Sequence, residues 1–255
     1  MISYILYFTA GTFAGSFFYT LAERYSNGKM KENPFKALFS RSECPSCGKN
    51  ISAFNLIPLI GFIFSKGKCA ACGNRISFIY PAMEILYGVL AVMIARFQGT
   101  DLLSLFIYLI AAVSVTIAIV DIKTMMVPLS LNVIFFILAL YPVIMHNNFT
   151  DSFYGFIFLT LFFLIIMFIF PGAFGGGDLK LYAAAGFLLG LEMSIVLLEV
   201  SLISGAIFGV VWGALNGWSF RIRIPFAPFI AAGIIITLLF GNTIILFYYR
   251  NIYGF

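Results

Sequence analysis

Stretches of about twenty apolar residues recur along this chain, each long enough to cross a hydrocarbon core of about 30 Å as a helix. No other feature constrains the fold as hard. Inside a bilayer every backbone N–H and C=O must be satisfied by protein, which leaves the helix as the form for such segments. The rest of the composition agrees, since 62% of the 255 residues are apolar and only 10% are charged, too few charges to clothe a soluble domain of this length.

The reading is therefore an all-α polytopic membrane protein. Eight spans are expected at 2–23, 77–96, 102–120, 128–146, 152–171, 178–191, 193–215 and 226–249. The first lacks a basic leader region and reads as a span rather than a cleaved signal. The sixth is short and carries Ala183, Ala184, Ala185 and Gly186, which predicts close packing among neighbours. Three sections follow: a first transmembrane helix (1–23), a cysteine-bearing loop domain (24–76) and a seven-helix core (77–255).

Lysine and arginine set the orientation. Nine lie between 24 and 76, and Lys123, Lys180, Arg221 and Arg223 fall on the same side, against Arg96 and Arg250 on the other. The positive-inside rule then places the 24–76 loop in the cytosol and both termini outside. A nucleic-acid partner is not expected, because the basic loop lacks interleaved stacking aromatics. The partner that composition does require is the lipid bilayer.

On this topology Asp121, closing the third span, and Asp178, opening the sixth, share the cytosolic face. An ionisable group at a span boundary needs a partner or a task. The plain alternative is an interfacial acid neutralised by Lys123 or Lys180, or, for Asp178, a helix cap. That alternative leaves Gly175, Gly176 and Gly177 unexplained. Three glycines permit positive φ and close approach of another chain, which suits a site receiving an extended peptide. Two carboxylates meeting there would share one proton, one acting as base on water while the other protonates the scissile carbonyl. Elimination points the same way: the single histidine, His146, lies on the opposite face, so neither an HExxH zinc site nor a serine–histidine pair can be built.

All four cysteines lie in the loop, as CPSC (44–47) and CAAC (69–72), each followed by glycine. Paired C-x2-C motifs in a reducing compartment predict a structural zinc held by Cys44, Cys47, Cys69 and Cys72, with a redox dithiol or an iron centre as the other readings.

These motifs together resemble the type IV prepilin peptidase family over nearly the whole chain. AGSFFYTLAER (14–24), the two CxxC segments with the following YPAMEILYG, Asp121 with Val127–Pro128, GGGDLKLYAAAG and IPFAPF (224–229) carry the likeness. It implies a GxGD aspartic membrane protease with Asp121 and Asp178 as the catalytic pair, cutting the basic leader from prepilins at the cytosolic face of the bacterial cytoplasmic membrane. The implied substrates are pilins and the pseudopilins of type II secretion or competence systems. Many members also methylate the new N-terminus with S-adenosylmethionine. Leu129, Tyr19 and Ala227 depart from residues common in the family, and no catalytic aspartate is lost. Glu84, near the cytosolic end of the second span, is a candidate for methyl transfer or for contact with the substrate amine, against a role as a buried hydrogen-bonded residue. Glu199 reads as structural.

Two rivals remain. One is a GxGD protease of the presenilin or signal-peptide-peptidase type, which would not need the cysteine loop. The other is a non-enzymatic proton- or cation-coupled transporter, which would place its acids near mid-membrane.

Overall fold

A computed structural model describes residues 2–217 and 224–253. Arg221 and Arg223, two of the residues that set the orientation, lie outside the described residues. Among those described there is no named strand, and the helices fall into two compact units, Met1–Gly99 and Thr100–Phe255.

The first unit pairs two long helices, α1 (Ile2–Ser26) and α5 (Ile79–Phe97). Glycines make the pairing close. A Cβ at Gly11 would stand 2.7 Å from the Ala91 Cβ, and one at Gly88 would meet Phe8 and Thr12 at 2.9 Å. Between apolar helices in lipid, such small residues supply the van der Waals contact that drives association. Tyr19, one of the departures noted above, is buried edge-on against Tyr80. Between the two helices run α2 (Lys29–Glu32), α3 (Pro34–Phe39), a single 3-10 turn at Phe54–Leu56 and α4 (Ile60–Phe64).

The second unit holds α6 (Leu102–Thr124), α7 (Leu129–His146), α8 (Phe149–Ile169), α9 (Gly176–Asn216) and α10 (Ala227–Tyr253). Asp101 starts α6 by accepting the Ser104 N–H at 2.9 Å, and Met125 ends it in a left-handed conformation (φ 54°) just ahead of Pro128.

α9 is 41 residues long and breaks at Gly190, whose φ of 76° and ψ of −178° belong to no helix. A straight helix would separate residues nineteen apart by about 28 Å. Tyr182 Oη and Ser201 Oγ, nineteen apart, are hydrogen-bonded at 2.6 Å. The chain therefore doubles back at Gly190, and α9 is a hairpin of two arms. Seven helices are long and apolar enough to cross a membrane. With the α9 arms counted separately, the described residues present the eight expected apolar segments, and the boundary expected between 191 and 193 falls at this corner.

The corner is built from glycine and one acid. A Cβ on Gly190 would collide with the Asp151 carboxylate, which accepts the Leu191 N–H at 3.0 Å and so caps the second arm. Gly155 and Gly186 touch backbone to backbone, and either Cβ would strike the other's carbonyl. The close packing expected of Ala183–Gly186 is thus realised against α8. His146 is exposed beside a small cavity of about 130 Å³ near Asp151.

Candidate active site

Asp121 lies in the last turn of α6 and Asp178 in the first turn of α9, both buried in the second unit. They are close enough to act on each other electrostatically. Asp121 Oδ2 accepts the Ala227 N–H at 3.0 Å, and the Phe226 N–H is directed at the same carboxylate. The IPFAPF turn thus presents its free N–H groups, at the start of α10, to the end of α6. Asp178 Oδ2 reaches back to accept the Gly175 N–H at 3.1 Å. Asp178 is thus not the N-cap, which is Gly175, but closes the cap from three residues on with that one oxygen. It leaves Oδ1, which is buried and has no hydrogen-bond partner among the described residues.

Aromatic rings hold these three segments together. Phe174, just before the glycines, meets Phe163 of α8 edge-on with centroids 5.0 Å apart, and Phe226 at 4.8 Å. Phe163 stacks on Tyr182, one turn after Asp178, at 3.9 Å. Such contacts add specific geometry to the apolar area they bury.

The glycines act differently from expectation. None of Gly175, Gly176 and Gly177 adopts a positive φ; Gly172 does, at 88°. What approaches Gly177 is the protein itself, since a Cβ there would stand 2.7 Å from the Val127 Cβ. Gly176 has open space, and Gly175 faces its own turn, at Asp178 Oδ2 and Gly177 N. Close approach is therefore required at one of the three, and it lets the Val127–Pro128 link pack on the turn that carries Asp178.

Glu84 belongs to the first unit. Its Oε2 accepts the Leu59 N–H at 2.8 Å. Leu59 has φ 61° and ψ −48°, and the Ile60 N–H bonds back to Pro58 O at 2.6 Å, which makes a γ-turn of the rare, strained hand. Glu84 thus pins a strained loop to α5, geometry that supports the buried hydrogen-bonded role over contact with substrate. Glu199 accepts the Tyr248 hydroxyl at 2.8 Å, as a structural residue would.

The cysteine loop forms two matching knuckles. In one, the Cys44 N–H bonds Lys49 O and the Gly48 N–H bonds Cys44 O. In the other, the Cys69 N–H bonds Asn74 O and the Gly73 N–H bonds Cys69 O. Gly48 and Gly73 take φ values of 68° and 72°, which side chains resist. The four sulfurs lie within 4.8 Å of one another, with Cys44 and Cys72 at 3.9 Å. A tetrahedral site with Zn–S bonds of about 2.3 Å needs S···S edges of about 3.8 Å, so the set fits such an ion. Electrostatics agree. The N–H groups of Ser46 and Cys47 pull the Cys44 thiol down to about 6. At Cys72 the Asn74 N–H pulls the same way, but desolvation and the neighbouring sulfurs outweigh it and push that thiol up to about 11. Sulfurs this close cannot all ionise without a cation between them. Arg24, at the end of α1, anchors the entry to the loop by donating to Leu38 O at 2.9 Å and Ser40 O at 2.7 Å.

Residues 107–210 match the profile of the type IV leader peptidase family, and residues 9–97 that of the bacterial peptidase A24 N-terminal domain. The chain is 33% identical, over 97% of its length and 98% of the relative's, to the prepilin leader peptidase/N-methyltransferase of Bacillus subtilis (strain 168). It belongs to the type IV leader peptidase family. Proteins of the same name from Legionella pneumophila and Aeromonas hydrophila are 30% and 29% identical, over 86% and 87% of this chain and 78% and 79% of theirs. No solved structure matches the chain. Family membership makes it a peptidase, and its apolar helices make it a multi-pass membrane protein. The presenilin-type and transporter readings are not favoured.

Two contributors escaped the sequence reading. The backbone N–H groups of Phe226 and Ala227 have no side-chain signature. Asn132, whose Nδ2 donates to Gly177 O at 3.2 Å, lies among hydrophobic residues of α7 and reads there as an ordinary polar interruption.

Proposed function

We propose that this protein is an aspartic endopeptidase of the bacterial cytoplasmic membrane that removes the basic leader of prepilins and pseudopilins at the cytosolic face, with both termini outside. The observation that carries this reading is the pairing of Asp121 and Asp178, each with one oxygen tied to backbone N–H groups. Asp121, facing two such donors, is arranged as the carboxylate that draws a proton from water. Asp178 carries the shared proton and gives it to the scissile carbonyl. Water oxygen adds to the carbonyl carbon, the diol collapses, and the C–N bond breaks. The leaving nitrogen takes a proton from the pair, leaving one carboxylic acid and one amine. Gly175 and Gly176 leave the turn open to the incoming chain, Gly177 lets Val127 pack behind it, and Glu84 supports the loop that precedes α5.

In the same reading Cys44, Cys47, Cys69 and Cys72 hold one zinc. Four protein thiolates leave no open position, so the metal serves to fold the 24–76 loop. The substrates belong to type IV pilus, type II secretion or competence systems. The relatives' names support methylation of the new N-terminus with S-adenosylmethionine as a second activity.

The test is incubation of the detergent-purified protein with a prepilin, followed by mass measurement. The expected product lacks the leader, and is 14 Da (about one methylene) heavier when S-adenosylmethionine is supplied. An unchanged prepilin mass would refute the peptidase assignment.

A further inference from the structure

Asn132, in the first turn of α7, is only 4% exposed. A carbonyl can only accept, so it is Nδ2 that faces Gly177 O, and Oδ1 is left as a buried acceptor with no donor among the described residues. Asp178 Oδ1, one residue further along α9, is also buried without a partner among the described residues, and in the peptidase reading it is the oxygen that bears the shared proton. Buried polar groups are normally satisfied, and two unpaired ones this close mark a place where partners arrive from outside the protein, a donor for Asn132 Oδ1 and an acceptor for Asp178.

What can arrive is limited by the walls. Asn132 lines a trough of about 360 Å³ between α7, α8 and α9, whose walls are mostly apolar (Leu129, Phe136, Phe156, Leu179), with Thr160 and Lys180 as the other polar members. Apolar walls accept apolar side chains and offer nothing to a bound peptide's N–H groups; Lys180 is only a donor and the Thr160 hydroxyl is turned to Phe156 O, which leaves Asn132 Oδ1 as the unpaired acceptor. An extended chain passing Asp178 brings such donors, and Asn132 Oδ1 is an acceptor beside its path.

We propose that Asn132 is a subsite for the substrate's peptide backbone. Its Oδ1 accepts one N–H of the extended chain next to the scissile bond, while its Nδ2 holds the Gly177 carbonyl. One side chain thereby ties the substrate backbone to the turn bearing Asp178. The inference rests on the peptidase reading above and adds to it the group that aligns the chain.

The test uses synthetic peptides spanning the leader junction of a prepilin, with single amide N–H groups replaced in turn by ester oxygen at every position except the scissile bond. With the unmodified protein, one ester position should lower kcat/KM about tenfold, as expected for one lost buried hydrogen bond. In Asn132→Leu, which keeps size but has no acceptor, the all-amide peptide should be cut about tenfold more slowly, and that ester position should carry no further penalty. Asn132→Ala, compared at equal folded protein, should give the same pattern if the leucine variant misfolds. An ester penalty equally large in unmodified and variant proteins, or no penalty at any position, would overturn the proposal and leave Asn132 as packing or as the holder of a water. Failure of the unmodified protein to cut the all-amide peptide would instead refute the peptidase reading, which keeps the two outcomes distinct.

Discussion

The cysteine knuckles and the aspartate pair are built in opposite ways. Each knuckle closes on itself, with hydrogen bonds from a cysteine to residues four or five along the chain and a glycine to make the turn. The aspartate site has no such local closure. It needs the end of α6, the start of α9, the start of α10 and the aromatic chain Phe163–Phe174–Phe226 to meet. A local site should therefore tolerate changes elsewhere and fail on loss of its own ligands. An assembled site should be sensitive to the packing that brings its parts together, even where no reacting atom is touched.

The largest effect is expected at the reacting groups. Asp121→Asn and Asp178→Asn should each lower cleavage by about 10²–10⁴-fold while membrane-inserted protein stays at its normal level, because a shared-proton pair needs both members. Cleavage assays normalised to folded protein check this, and near-normal rates in either variant would break the pairing. Next comes packing without chemistry. Gly177→Ala puts a Cβ against Val127 and should cut the rate at least about tenfold, with Val127→Gly restoring part of it in the double variant. No rescue would mean that the 127–128 link is not what positions Asp178.

Metal removal should act more weakly on cleavage. Elemental analysis should find about one zinc per chain, lost in a variant carrying serine at Cys44 and Cys72. Both aspartates belong to the second unit, so that variant should retain cleavage within about tenfold while its 24–76 loop becomes sensitive to protease. Two disulfides and no stoichiometric metal would overturn the site. The smallest effect is expected at Gly176→Ala. Open space surrounds that position, so its rate should stay within about twofold of normal, as for a surface substitution.

The same contrast explains what could be read from the residues. Hydropathy exposed the spans because the bilayer demands length and apolarity from each segment separately, and even the α9 hairpin showed as two adjacent stretches. CPSCG and CAACG were equally legible, since spacing and glycine state the local geometry directly. Asp121 and Asp178 stood out as acids at span ends. What holds them did not. Asn132, the Phe226 and Ala227 N–H groups, and the Val127 contact at Gly177 depend on which helices become neighbours, and in place of the expected positive φ Gly175 is an extended N-cap while Gly176 and Gly177 are helical. Glu84 was visible as an acid within a span, but its tie to the Leu59 turn was not.

The α9 corner also makes the depth of the catalytic end a matter of membrane thickness. From Gly176 to the break the first arm is about 14 residues, or roughly 21 Å, against about 30 Å of hydrocarbon. The corner is pinned by Asp151 beside His146 and Asn148, polar groups that belong at the far boundary. The arm is therefore about 9 Å shorter than the hydrocarbon, a mismatch that a bilayer meets by thinning locally. Local thinning at the catalytic end would shorten the path from bulk water to Asp178. Longer acyl chains work against that access and shorter ones favour it, so lipid thickness becomes a control on turnover that touches no residue of the site.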